Sequence, residues 1–173
     1  MLDRDGVINE DSDDYIKSPD EWRPLPGSLE AIARLGRAGF DIVVATNQSG
    51  VGRGLFSAET LDAIHARMRD AVAAAGGEIK GIYVCPHRPE DDCTCRKPRP
   101  GLLERIARDF GRPLDGVPFI GDKLSDVEAA VAAGARPVFV ATPGRAADAE
   151  RARALGAAVY ATLAEAVDAL LAE

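Results

Sequence analysis

Short apolar runs alternating with helical patterns, most of them followed at once by residues able to do chemistry, constrain this chain more than any other feature. The runs 40–45, 81–84, 117–120 and 137–140 are too short for helices and rich in Val, Ile and Phe, so they read as buried strands, with 158–160 as a weaker fifth. Between them, 28–38, 57–75, 101–110, 126–133, 146–155 and 163–171 carry helical patterns. Ser57 stands where an N-cap belongs, with Phe56 and Leu61 placed to staple the helix entry, and Gly39, Gly76 and Gly134 fall where helices should stop. Strand–helix alternation of this kind predicts an α/β fold, a parallel sheet with helices on both faces, in one domain over 1–173. No segment is long enough to form a large cap domain. Only Met1 and Leu2 precede the first acidic residue, so the first strand is expected to have lost residues at its start.

Ligands of such sheets bind beyond the carboxyl ends of the strands. Asp3-Arg4-Asp5-Gly6 follows the first strand, Thr46-Asn47-Gln48-Ser49-Gly50 the second, 85–97 the third and Gly121-Asp122-Lys123 the fourth. Carboxylates spaced i, i+2 at a strand end point to one side, which sends Arg4 away from Asp3 and Asp5. One such carboxylate can attack an electrophile while the other handles protons, and the pair can hold Mg²⁺. Asp122 can complete that metal site, with Asp126 one helical turn onward as a partner behind it. The Thr46–Ser49 segment offers hydroxyl, amide and N–H donors suited to phosphoryl oxygens. Arg96 and Lys97, pinned between Cys95 and Pro98, suit phosphate as a fork and a point charge respectively. Lys123 reads equally as a site contact or a surface charge.

All three cysteines lie within 85–95, a metal pattern rather than a disulfide framework. Cys85, His87, Cys93 and Cys95 supply three thiolates and an imidazole, which suit tetrahedral Zn²⁺ in a closed structural site. Zinc there would restrain the loop that presents Arg96 and Lys97. His65, the other histidine, lies in a helix without ligand neighbours and reads as structural or solvated. A net charge of −7 argues against a nucleic-acid partner. With 46% hydrophobic and 28% charged residues, no membrane-length apolar run and no leader, the expectation is a monomeric cytoplasmic protein without a membrane partner.

The order aspartate pair, Thr-Asn loop, lysine, then Gly-Asp, each after its own strand, resembles the haloacid dehalogenase superfamily of phosphotransferases over roughly 1–140. The resemblance implies a Rossmann-type sheet and an aspartyl-phosphate mechanism. Asp3 would attack phosphorus, Asp5 would protonate the leaving alcohol and then activate water, and Thr46 and Lys97 would neutralise the phosphoryl oxygens. Mg²⁺ would be held by the carboxylates of Asp3 and Asp122 and the backbone carbonyl of Asp5. Within the superfamily, a zinc loop directly before Arg96-Lys97-Pro98 resembles two groups: phosphatases of the 7-position of a heptose 1,7-bisphosphate, which serve lipopolysaccharide precursor synthesis, and histidinol-phosphate phosphatases. Ser49-Gly50, Arg53-Gly54 and Pro100-Gly101 favour the former, whereas the five residues between His87 and Cys93 suit the latter. A small phosphorylated sugar is thus the expected substrate, with Asp11, Asn47, Gln48, Ser49, Arg96 and Lys123 as contacts and Tyr15 and Arg53 as further candidates. A noncatalytic zinc-loop binding module is the reading from outside enzymology, and it leaves Asp3, Asp5 and Asp122 unexplained.

Overall fold

The computed structural model describes residues 1–142 and 146–173. Its sheet closes around Leu2, which pairs in parallel with Val44 on one side and Ile120 on the other. The Leu2 N–H donates to Val43 O at 2.9 Å, and the Asp3 N–H donates to Ile120 O at 2.8 Å. Residues 1–3 thereby join the pair β1 (Val43–Asn47) and β2 (Gly81–Cys85) to the trio β3 (Pro118–Gly121), β4 (Arg136–Val140) and β5 (Ala158–Tyr160). The order across the sheet is β2, β1, residues 1–3, β3, β4, β5, with every pairing parallel.

Alternation along the strands sorts side chains between two cores. Val44, Ile120, Val138 and Val140 face α1 (Ser28–Arg37), α3 (Ala58–Ala74) and α7 (Leu163–Leu171), which contribute Ile32, Ile64, Met68 and Val167. Val43, Ala45 and Phe119 face the other side, against Leu102, Leu103 and Ile106 of α4 (Gly101–Phe110) and Ala129 and Ala130 of α5 (Leu124–Ala132). Phe139 packs there beside Ala149 and Ala152 of α6 (Ala146–Ala154). Burying a side chain such as Ile120 or Phe139 contributes about 1.5–3 kcal/mol. Central strands wet on neither face are why the chain reads as continuous apolar runs.

Three boundaries differ from the sequence expectation by two residues or more. The strand expected over 40–45 begins at Val43, because Phe40 and Asp41 are exposed, and it runs on through Thr46 and Asn47. A short helical turn, α2 (Ser49–Gly52), follows it directly. The helix expected from 126 starts at Leu124, since the Asp126 carboxylate turns back to accept the Lys123 N–H at 3.0 Å. The Ser57 hydroxyl does cap α3, accepting the Thr60 N–H. The connections after residues 1–3 and after β2 are loops carrying single 3₁₀ turns, Pro19–Glu21 and Pro89–Asp91. Among the described residues no helix is long and apolar enough to cross a membrane.

Candidate active site

The strand ends place three carboxylates together. Side-chain oxygens of Asp3, Asp122 and Asp126 all lie within 4.8 Å of one another, and all three residues are buried. Lys97, only 3% exposed, threads between two of them: its ammonium is 2.9 Å from Asp3 Oδ1, 2.6 Å from Asp126 Oδ1, and donates to Ala45 O at 2.9 Å. Burial works against that charge, but Asp126 and Asp3 outweigh it and hold Lys97 above the usual lysine range. Asp126 therefore touches the lysine directly, rather than standing only behind Asp122 as expected.

One lysine does not balance three acids. Burial, opposed by Lys97 and reinforced by Asp126 and Asp5, lifts Asp3 to about 6. Burial likewise lifts Asp122 to about 7, opposed by Lys123 and reinforced by Asp3, Asp126 and Asp11. Asp122 Oδ1 is buried with no hydrogen-bond partner among the described residues. An orphaned oxygen among buried carboxylates fits a small hard cation, which takes oxygen ligands and would supply the missing positive charge. Gly6 makes the approach possible. It sits at φ 79°, and a Cβ there would lie 2.2 Å from Asp122 Oδ2.

Asp5 faces elsewhere. The alternation expected to keep Arg4 apart from both carboxylates ends at Asp3, where the chain turns and Val7, Ile8 and Asn9 all donate their N–H groups to Arg4 O. Arg4 then folds onto Asp5, Nε to Oδ1 at 2.9 Å and Nη2 to Oδ2 at 3.0 Å. Asn9 Nδ2 and Gln48 Nε2 add donors at 2.9 and 2.8 Å. Burial alone would raise the Asp5 pKa, but Arg4 and these donors outweigh it and hold Asp5 below the usual carboxylate range. Neither Arg4 nor Asn9 was singled out from the sequence as part of the site.

The Thr46–Ser49 residues are brought to the same place, but with their amides already engaged. Asn47 uses both polar ends on the Lys97 backbone, donating to its carbonyl at 3.1 Å and accepting its N–H at 3.2 Å. Gln48 Nε2 bonds Thr46 Oγ1 at 2.9 Å as well as Asp5. Asp11, Gln48, Ser49, Arg96, Lys97 and Lys123 line one cavity of about 520 Å³. Asp11 and Lys123 pair across it at 2.9 Å, and Tyr15 lies on its wall. Arg53 instead faces Glu90 at 3.6 Å.

Cys85, His87, Cys93 and Cys95 converge beside this cavity. Cys93 Sγ is 3.6 Å from Cys85 Sγ and 3.5 Å from Cys95 Sγ, and His87 Nδ1 is 3.3 Å from Cys95 Sγ. A tetrahedron with metal–sulfur bonds of about 2.3 Å has edges of roughly 3.7 Å, so the donor set fits zinc. Although burial opposes it, the Arg96 N–H and the neighbouring thiols bring the Cys93 thiol down to about 7. Arg96 Nη1 donates to His87 O at 3.2 Å, which ties its guanidinium to the same loop.

Known proteins resemble this chain in sequence and fold. The HAD-hydrolase-like family pattern matches residues 94–166. The D-glycero-beta-D-manno-heptose-1,7-bisphosphate 7-phosphatase of Pseudomonas aeruginosa is 56% identical over 142 residues, covering 82% of this chain and 80% of that one. The enzyme of the same name from Neisseria meningitidis is 49% identical over 82% of this chain and 76% of its own length. The crystal structure of the D,D-heptose 1,7-bisphosphate phosphatase of B. bronchiseptica, complexed with magnesium and phosphate, superposes with a TM-score of 0.90 at 48% identity, covering 98% of this chain and 96% of that one. Likeness at that identity and coverage places the chain among the haloacid dehalogenase-like hydrolases, as a member of the heptose-1,7-bisphosphate 7-phosphatase family.

Proposed function

We propose that this protein hydrolyses the 7-phosphate of D-glycero-D-manno-heptose 1,7-bisphosphate through a phosphorylated Asp3. The observation that carries the reading is Lys97 wedged between Asp3 and Asp126 beside the orphaned Asp122 oxygen. A free Asp3 carboxylate oxygen attacks phosphorus, and the bond from phosphorus to the sugar oxygen breaks. A proton carried on Asp5 passes to that oxygen as the bond breaks. Asp5, which the Arg4 grip favours as the carboxylate, then takes a proton from the water that attacks phospho-Asp3, releasing phosphate and restoring both Asp3 and protonated Asp5. Lys97 and Thr46 neutralise the transferring oxygens. The Asp3 and Asp122 carboxylates and the Asp5 carbonyl would hold Mg²⁺, which when bound draws charge off the phosphoryl group.

Asp11, Asn47, Gln48, Ser49, Arg96 and Lys123 are the proposed walls of the substrate cavity. Asn47 acts there by holding the Lys97 backbone, and Gln48 by orienting Asp5. Cys85, His87, Cys93 and Cys95 hold Zn²⁺ as a structural clamp. On this reading the protein works in the cytoplasm, in the supply of heptose for lipopolysaccharide. The relatives at 49–56% identity carry the heptose name, so histidinol phosphate is not favoured despite the short zinc loop.

The test is Mg²⁺-dependent phosphate release from a panel holding both the heptose bisphosphate and histidinol phosphate. We expect the heptose compound to win on kcat/KM, Asp3→Asn to abolish turnover, and Asp5→Asn to lose about 10²–10⁴-fold. Near-normal turnover in Asp3→Asn would overturn the mechanism, and a preference for histidinol phosphate would overturn the substrate.

A further inference from the structure

Arg4 is only 1% exposed; its backbone N–H donates to Asp3 Oδ1 at 2.7 Å, while its guanidinium turns to Asp5. Its guanidinium has five N–H donors in a fixed fork, and a buried donor left unmatched is costly. Nε reaches Asp5 Oδ1, while Nη2 reaches Asp5 Oδ2 and, at 3.2 Å, Gln48 Oε1. The Gln48 amide thus bridges Arg4 and Asp5, accepting from one and donating to the other. What remains is Nη1, and it meets His65 Nε2 at 3.3 Å. His65 sits on α3, a different element from every other member of the network, and is 6% exposed.

Arginine can only donate, so His65 Nε2 must be the acceptor, and the imidazole must be neutral with its proton on Nδ1. Burial and then the Arg4 charge both press it that way, bringing its pKa down to about 4. The choice of a neutral acceptor has a consequence. A carboxylate at this position would hold Nη1 too, but would also share the charge that Arg4 directs at Asp5. An imidazole fixes the far prong of the fork and leaves the full charge on the Asp5 side. His65 and Asp5 are also on opposite ends of one rigid unit, so α3 sets where the fork can stand.

We infer that His65 is a positioning residue for the phosphatase: as a neutral acceptor for Arg4 Nη1, it fixes the two-pronged grip of Arg4 on the Asp5 carboxylate. The inference rests on Asp5 being the proton-transfer group. His65 touches neither substrate nor reacting atoms, so its effect belongs in kcat rather than in ground-state binding.

The decisive comparison is His65→Leu, which keeps bulk but removes the acceptor, against His65→Gln, whose Oε1 can take the place of Nε2. On both the heptose bisphosphate and an aryl phosphate, His65→Leu should lower kcat about 10–100-fold, the range for partners that orient a catalytic group. KM should stay within about twofold, since uniform binding is untouched. His65→Gln should recover most of the lost kcat. Nitrogen-15 NMR of the wild-type protein labelled at histidine should show the Nδ1–H tautomer for His65, a readout that needs no turnover and survives if a variant fails to fold. An Nε2–H tautomer, an unchanged kcat in His65→Leu, or a folded His65→Gln no better than His65→Leu would each overturn the inference. Failure of the underlying mechanism looks different: Asp5→Asn would then turn over normally, whatever the His65 spectrum shows.

Discussion

Arg96 and Lys97 are neighbours in the chain with separate tasks, and mutation should pull them apart. Lys97 Nζ reaches Asp3, Asp126 and Ala45 O, so on the proposed mechanism its charge sits beside the nucleophile and serves the transferring group that every substrate shares. Arg96 lines the cavity from the Cys/His loop, where its fork can hold oxygens that surround the reacting phosphate. Lys97→Ala should therefore cut kcat/KM by about 10²–10³-fold for heptose bisphosphate and aryl phosphate alike. Arg96→Ala should cut it more for the heptose bisphosphate. Equal losses in Arg96→Ala would move Arg96 to the reacting phosphoryl group and leave discrimination to other loops. At this scale, residues that announce themselves by type were legible: Asp3, Asp122, Lys97 and the cysteines stand next to strand ends. Arg4 was not, because strand alternation sends an arginine between aspartates away from both, and its acceptors Gln48 and His65 lie far along the chain. Asn47 was legible as a site residue, but its engagement with the Lys97 backbone depends on a loop packing that no local pattern encodes.

Elements were read best where burial is on both faces. The runs at 117–120 and 137–140 became β3 and β4 with ends moved by a single residue, because Phe119 and Phe139 face one core while Ile120, Val138 and Val140 face the other. The run at 40–45 was displaced, since its polar end, Thr46 and Asn47, belongs to the strand but serves the site and so reads as loop. The loop that carries the Cys85, His87, Cys93 and Cys95 cluster lies between these cases. It has no regular structure beyond one 3₁₀ turn, and Arg99 braces it through Asp92 and the Cys93 carbonyl. Its hold on Lys97 comes from two sides, the four-ligand cluster and the Asn47 amide. Purified protein should contain about one zinc per chain. Cys93→Ala should lower both Tm and kcat/KM, as the segment carrying Arg96 and Lys97 loses one anchor. A Cys93→Ala protein with unchanged melting and kinetics would reduce the cluster to a bystander.

Across the whole molecule, the acid cluster links folding to metal and pH. The chain is acidic, with a net charge of −7, and it buries Asp3 and Asp122 with folded pKa values raised from 3.8 to about 6 and about 7. A carboxyl whose folded pKa is raised contributes stability that is fully present below its unfolded value and is lost as pH rises through the folded one. The metal-free protein should therefore lose this contribution between about pH 4 and pH 7, through Asp122 and Asp3. A cation among these oxygens reverses the sign, because it binds the deprotonated forms. Mg²⁺ at about 100 times its dissociation constant would add about 2.7 kcal/mol, or roughly 5–10 °C in Tm for a chain of this size. We expect that increment at pH 8 and little of it at pH 5, measured by thermal melts with and without Mg²⁺ at each pH. Asp122→Asn should abolish the increment and flatten the metal-free loss, since an amide neither titrates nor repels Asp3. A Mg²⁺ shift of equal size at pH 5 and pH 8, or one that survives Asp122→Asn, would place the metal somewhere other than this cluster.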